Sequence, residues 1–378
     1  MLLHDQIRRI HFELSSLCNA ACPNCPRNVH GGETIHNLLE TAIRIEQFKQ
    51  ILDVDTLKQL EEIRFCGNYG DPVTAKDLPD IVEWIYSHNS TVKIEINTNG
   101  GLRGARWWTR LGKLMAGRGD SAVIFSIDGL SDTNDIYRRN VQWRKLEEHF
   151  KAFIAAGGAA IWEMLVFQHN EHQLREARLL AKELGFVNFR TKIPFGFNDT
   201  FNSTNYMLVL DRAGEFESAL WPAGATPQEV PEQSMTPPEY NLELTRAHKA
   251  AFDDRIEKQN YYDYMDNNYP PGIDCMSIRD REIYIDSQGY LYPCCFLGHS
   301  GQVQRGRESV LFRRWISENV GWDSLDLYKH SIRDIVNSDY FKLIEDTWNK
   351  DHREGRIAMC SLMCSSDCAK NRMKNLYD

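Results

Sequence analysis

The 378-residue chain has no uncharged apolar run approaching eighteen residues, and its start, Met1-Leu2-Leu3-His4-Asp5-Gln6, has no cationic region followed by a long apolar core. The first absence argues against a membrane-spanning helix and the second against a secretory signal, so a cytoplasmic location without a membrane partner is expected. Excess positive charge is also missing. Lys and Arg number 44 against 53 Asp and Glu, for a formal net charge of −9 and a pI near 5.8. Such a balance speaks against a general nucleic-acid or anionic-membrane surface, and no nucleic-acid partner is expected. A hydrophobic content of 42% suits a globular chain with a sizeable core, long enough for one large domain and a smaller one.

Cysteine is not scarce: there are ten. In a reducing compartment these are more naturally metal ligands than disulfides. Cys18, Cys22 and Cys25 fall within eight residues directly after an apolar run. Random placement would give three cysteines at one fixed spacing only ~0.007 times in such a chain, so the spacing carries information. Four thiolates close a structural zinc site or fill every protein position on an iron–sulfur cube. Three leave one iron of a cube open to a small ligand with nitrogen and oxygen donors. The competing reading is a zinc loop completed by His30 or His36.

The rest of the first half alternates strand and helix patterns. Strands are expected at Ile10–Leu14, Ile63–Cys66, Val92–Asn97, Val123–Ile127, Ala160–Phe167 and Val187–Thr191. Helices are expected at Ile45–Leu60, Leu78–Tyr86, Val141–Ala156 and Glu171–Leu184. Six such units imply an α/β fold with a parallel sheet whose loops gather at one edge. The cysteine loop, Gly70-Asp71-Pro72, Thr98-Asn99-Gly100 and Ser126-Ile127-Asp128 each follow a strand, which brings them to a common mouth. Taken singly, these loops are ordinary turn chemistry. Cys66 reads as a buried small hydrophobe. His169-Asn170-Glu171-His172 reads as a helix start with Asn170 as its cap.

Beyond residue 195 the periodicity fades, and 196–269 reads as a linker or an excursion over the barrel mouth. A short helix is expected from Leu242 to Lys258. Tyr261, Tyr262, Tyr264 and Tyr269 form either a packed loop or a wall facing a substrate. A second cysteine set starts at Cys275. A hairpin pattern, Ile283-Tyr284-Ile285 and Tyr290-Leu291-Tyr292 around Asp286-Ser287-Gln288-Gly289, runs into Cys294 and Cys295. Cys360, Cys364 and Cys368 recur at every fourth position, along one face if helical. Four of these thiolates from distant segments would close a fully ligated site, either iron–sulfur or zinc.

The Cys18-x-x-x-Cys22-x-x-Cys25 loop after a first strand resembles the radical S-adenosylmethionine (SAM) superfamily. The resemblance implies a partial (β/α)6 TIM-like barrel at residues 5–195. It further implies a 4Fe-4S cluster on the three cysteines, SAM chelated to the open iron, and one-electron cleavage to a 5′-deoxyadenosyl radical that abstracts hydrogen from a substrate. Asn24 stands where the family usually has an aromatic residue. Gly70-Asp71-Pro72 looks like the family's Gly-Gly-Glu-Pro segment, which meets the SAM ammonium group, with Asp in place of Glu. Asn99 and Ser126 resemble positions near the SAM ribose and methionine, Arg138 one that pairs with the SAM carboxylate, and Val166 one whose backbone meets the adenine edge. The segment 270–378 is similar to the SPASM/Twitch type of cysteine-rich extension. That implies one auxiliary 4Fe-4S cluster on a subset of Cys275, Cys294, Cys360, Cys364 and Cys368. The implied partners are a flavodoxin- or ferredoxin-type reductant and a peptide or small-molecule substrate. No separate leader-binding domain is expected before the barrel. The alternatives from other classes are a zinc-stabilised binding protein and a non-catalytic iron–sulfur electron carrier.

Overall fold

The computed structural model describes residues 2–197, 204–230, 261–304 and 306–365. The chain divides into two compact units, His11–Pro237 and Met1–Ile10 with Pro238–Asp378. The expected helix Leu242–Lys258 and Cys368 lie outside the described residues.

The larger unit holds all but the first two residues of six strands, β1 (Arg9–Phe12), β2 (Glu62–Phe65), β3 (Lys93–Thr98), β4 (Ala122–Ser126), β5 (Ala160–Leu165) and β6 (Asn188–Lys192), neighbours in that order. From β2 to β6 every pairing is parallel. Parallel neighbours need crossovers, and helices supply them: α1 (Ile45–Ile51), α2 (Val54–Gln59), α3 (Leu78–His88), α4 (Ala105–Met115), α5 (Asn134–Tyr137), α6 (Trp143–Ala155) and α7 (Leu174–Glu183). This is the partial (β/α)6 barrel architecture. The expected single helix over Ile45–Leu60 is split, because Asp53 adopts an extended backbone and caps the second piece, accepting from the Thr56 N–H at 2.8 Å. Helix α4 was not expected. It buries Trp108, Leu111 and Met115, and Gly112 lets it approach the Phe153 carbonyl of α6 where a side chain would collide.

The strand registers separate two faces. Ile63, Phe65, Ile94, Ile96, Val123, Phe125, Trp162 and Met164 are fully buried against the helices. There Phe12, Phe48 and Phe65 pack ring to ring, as do Trp108, Phe125 and Phe153. The opposite face carries Arg64, Glu95, Asn97, Ser126, Glu163 and Lys192, none of them fully buried. Arg64 bonds Glu95 at 3.1 Å across paired strands, and Lys192 bonds Glu163 at 2.9 Å. Closed barrels of this type fill their interiors with branched apolar side chains. Here Ala122, Ile124 and Ile161, with Ala159 packed against them, form a small apolar patch on that face.

Part of the stretch read as a linker is ordered structure. An antiparallel hairpin, β7 (Met207–Leu210) and β8 (Phe216–Leu220), buries Met207, Val209, Leu210 and Leu220. Its Leu210 N–H donates to the His30 carbonyl at 2.9 Å, and Glu217 takes both guanidinium nitrogens of Arg139.

In the smaller unit the expected hairpin forms as β9 (Glu282–Ile285) and β10 (Leu291–Tyr292), paired through Ile285–Leu291 and Tyr284–Tyr292. Asp286 Oδ1 accepts from the Gln288 and Tyr290 N–H groups at 2.9 Å each, and Gly289 supplies the φ of +87° that closes the turn. Helix Ala358–Cys364 sets Cys360 and Cys364 one turn apart on one face.

Candidate functional site

The cysteine loop leaves β1 and is clamped by the loop after β2. The Leu17 carbonyl accepts the Asp71 N–H at 2.9 Å and the Thr74 hydroxyl at 3.0 Å. Glu13, fully buried, accepts the Tyr69 N–H at 2.7 Å and the Gly70 N–H at 3.0 Å. Gly70 lies so close to the Ser15 carbonyl that any side chain would collide with it. The Gly in Gly70-Asp71-Pro72 is therefore required by backbone packing. Pro72 follows it as the first residue of a short 3₁₀ turn.

Asp71 reaches outward from that turn to the next loop. Its carboxylate accepts from the Thr98 hydroxyl, the Asn99 N–H at 2.8 Å and the Asn99 side-chain amide at 2.7 Å. That amide also donates to Asn19 Oδ1 at 3.0 Å and stands 3.6 Å from the Cys18 sulfur. The next loop brings an ion pair. Arg138 Nε donates to Asp128 Oδ2 at 2.6 Å, and its Nη1 lies 3.7 Å from the Cys22 sulfur. Asp128 Oδ1 accepts the Leu165 N–H at 2.6 Å, tying β4 to β5. Ser126 sits opposite Glu163 in the β4–β5 register. The Val166 N–H donates to the Lys192 carbonyl at 2.9 Å.

Electrostatics follow burial. Burial, then Asp71 and the two other thiols, push the Cys18 thiol well above its ordinary pKa. Burial raises Cys22 to about 12 against the opposing pull of Arg138. Burial also raises the Asp71 and Asp128 carboxyls, partly offset by their donors. The three thiols thus lie close enough to influence one another. Beside them a cavity of about 360 Å³ is lined by Leu17, Cys18, Asn19, Thr74, Leu102 and Arg103. Arg103 is fixed there by bonds to the Val73 and Thr74 carbonyls.

The second set also converges. Cys275, Cys294, Cys360 and Cys364 line one cavity in the smaller unit, walled otherwise by Ile273, Pro293, Phe296, Leu297 and other apolar or sulfur-bearing side chains and Trp348. The free space between them is narrow, about 20 Å³. Burial raises all four thiols, Cys364 to about 11. Among the described residues no group of three or more His, Cys, Asp or Glu is arranged to hold a metal ion.

One expectation is corrected. Asn170 does occupy the N-cap position of the 3₁₀ turn Glu171–Gln173, as expected, but its side chain does not cap that turn: it is fully buried, accepts the Phe167 N–H at 2.8 Å, and donates to the Asp128 and Leu165 carbonyls at 2.9 Å each. Cys66, just after β2, keeps its reading as a covered small side chain: burial pushes its thiol up to about 12, with Arg64, Glu13, Lys192 and Glu163 as its charged neighbours. Glu13 and Asp128 brace the site's loops, a role that the periodicity did not single out for either. The available signal was a carboxylate inside an apolar strand and another directly after one. Asn24, in the position usually aromatic, donates to the Phe195 carbonyl at 2.7 Å.

Residues 275–368 match the SPASM family model, described as an iron–sulfur cluster-binding domain. That segment falls within the smaller unit. No curated protein matches the chain. Among solved structures, anSMEcpe with bound AdoMet is similar at 14% identity over 96% of this chain and 86% of that one, with a TM-score of 0.49. Streptococcus suis SuiB bound to precursor peptide SuiA gives 14% identity over 89% and 66%, with a TM-score of 0.49. BtrN in complex with AdoMet and 2-DOIA gives 15% over 94% and 92%, with a TM-score of 0.43. These likenesses are weak, and the chemistry of the site is carried by this chain's own residues.

Proposed function

We propose that the protein is a radical SAM enzyme. Cys18, Cys22 and Cys25 would hold a 4Fe-4S cluster with one iron open, and Cys275, Cys294, Cys360 and Cys364 an auxiliary 4Fe-4S cluster. The observation that carries the reading is three mutually interacting thiols at the strand ends of a parallel sheet, braced by Asn99 and Arg138, with Cys18 lining a cavity. Both donor sets suit iron–sulfur ligation, the first incomplete and the second complete. When bound, the first cluster and SAM would supply a 5′-deoxyadenosyl radical able to take a hydrogen atom from substrate.

The chain's residues bind and aim. Gly70 brings the backbone of its turn close to the cysteine loop, with Asp71 and Pro72 fixing the turn where a SAM ammonium group would be met. Arg138 would offer a permanently charged planar fork for a carboxylate, Asn99 and Ser126 would flank the ribose and methionine end, and the Val166 backbone, whose N–H donates to the Lys192 carbonyl, would meet the adenine edge. Arg103 adds a second fixed cation at the cavity. The polar inner face, with Arg64, Glu95, Glu163 and Lys192, suits a charged peptide side chain or polar metabolite and disfavours an apolar one. A flavodoxin- or ferredoxin-type protein would supply electrons.

The test is anaerobic reconstitution with iron and sulfide, iron counting, and dithionite-driven SAM cleavage, for wild type and Cys18/Cys22/Cys25→Ala. Roughly eight irons per chain, with 5′-deoxyadenosine from wild type alone, is the expected result for two four-iron clusters. Zinc with no SAM cleavage would overturn the enzyme reading in favour of a metal-stapled binding protein.

A further inference from the structure

Trp348 in the wall of the four-thiol cavity, and Tyr340 within electrostatic reach of two of its thiols, carry donors that meet no acceptor at ordinary hydrogen-bond geometry, though the Trp348 indole already leans on the Cys360 thiol. The Trp348 indole nitrogen and the Tyr340 hydroxyl are both buried. Buried indole N–H and phenol O–H groups normally find an acceptor. Trp348 lines the cavity and interacts with Cys360. Tyr340, 2% exposed, is within electrostatic reach of Cys294 and Cys360. Both are positioned by one short element, helix Asp339–Glu345 and the turn after it. Ser338 Oγ accepts the Tyr340 N–H at 3.2 Å, and the Glu345 carbonyl accepts the Trp348 N–H at 3.0 Å.

The neighbouring wall is built from Ile273, Pro293, Phe296, Leu297 and Ile344, which offer no side-chain acceptor. An indole N–H can only donate. Tyr292 also lies near Tyr340, and because a hydroxyl accepts as well as donates, Tyr340 can serve both neighbours. The acceptors that an iron–sulfur cluster adds to such a cavity are its sulfide and thiolate sulfurs.

We propose that Trp348 and Tyr340 donate hydrogen bonds to sulfurs of the cluster held by Cys275, Cys294, Cys360 and Cys364 and thereby raise its reduction potential. This rests on the auxiliary-cluster part of the function proposed above. Reduction adds negative charge that is spread over the sulfurs. A fixed donor therefore stabilises the reduced cluster more than the oxidised one. Trp348 and Tyr340 are positioning residues: they tune the group and do not react.

The experiment is an anaerobic redox titration followed by electron paramagnetic resonance. It uses the full chain carrying Cys18/Cys22/Cys25→Ala, so that one cluster gives the signal. Trp348→Phe, Tyr340→Phe and the double variant are compared with this parent at matched iron and sulfide content. The expected result is a midpoint shifted to more negative values in each single variant and further in the double. An unchanged midpoint in all three with the cluster intact overturns the proposal. Should a variant lose iron, the parent alone decides. Transfer to D2O shifts its Fe–S stretching bands if exchangeable donors meet sulfur, and unshifted bands overturn the proposal. Zinc in place of iron in the parent also overturns it, while 5′-deoxyadenosine from the wild-type chain would leave the first-cluster reading standing.

Discussion

The Asn99 side-chain amide donates to Asp71 at 2.7 Å while standing 3.6 Å from the Cys18 sulfur, so the carboxylate that follows β2 aims the nitrogen that faces the first thiol. Asp71 is 5% exposed and accepts from Thr98, Asn99 and Val73. Replacing it with Ala strands the Thr98 hydroxyl, the Asn99 amide and the Asn99 and Val73 N–H groups. The expected cost is at least about 3 kcal/mol in denaturant unfolding, with less iron retained after reconstitution, whereas Asp71→Asn keeps one acceptor and costs about 1–2 kcal/mol.

Arg138 answers Asp128 with its Nε and faces Cys22 with another nitrogen of the same plane. A lysine is one point charge and cannot do both. Arg138→Lys is expected to weaken SAM binding to the anaerobically reconstituted protein at least tenfold. It should also destabilise the fold by about 3 kcal/mol, because Asp128 is buried and loses its fitted partner. Equilibrium dialysis with SAM and urea unfolding check the two effects separately.

Asn170 holds the Phe167 N–H and two strand-end carbonyls in a place with no solvent. Asn170→Ala should cost about 3 kcal/mol, and Asn170→Asp nearly as much, since a carboxylate cannot donate to the two carbonyls. Hydrogen exchange read at residues 165–171 should speed up before the rest of the unit does.

His11 makes stability depend on pH. Burial first, then Arg64, lower its pKa from 6.5 to about 4, against the pull of the Cys66 carbonyl, which its Nε2 meets at 2.6 Å. The unfolded chain therefore binds the proton that the folded chain refuses. Stability is full above about pH 6.5 and is lost as pH falls toward 4, by up to about 3 kcal/mol for this group. Urea midpoints between pH 7 and 4.5 should fall less steeply in His11→Gln than in wild type.

The strands were legible because their apolar halves alternate or run together, and the observed ends lie within a few residues of those expected. Helix α4 escaped because its sequence, Ala105 to Met115, mixes two adjacent tryptophans with Arg, Lys and Gly, and its stripe shows only once Gly112 is known to pack on α6. The cysteine loop and the loops after β2 and β3 were found by position, but the work of Asp71 was not, since nothing local says that a turn carboxylate will cap the following loop. Asn170 misled for the same reason: its residue type suits a cap, and tertiary hydrogen bonds claimed its side chain instead. In the second site, spacing could not choose among Cys360, Cys364 and Cys368, and the cavity places the first two with Cys275 and Cys294.

The polar inner face of the larger unit bears on how such a protein changes over generations. Its apolar packing lies on the helix side of the sheet, so Arg64, Glu95, Glu163 and Lys192 contribute little to the core that keeps the chain folded. Residues freed from that duty tolerate exchange, singly or as swapped pairs, without bringing the chain to its stability threshold. A lineage can therefore redraw what the chamber accepts while the thiol loop and its braces stay as they are.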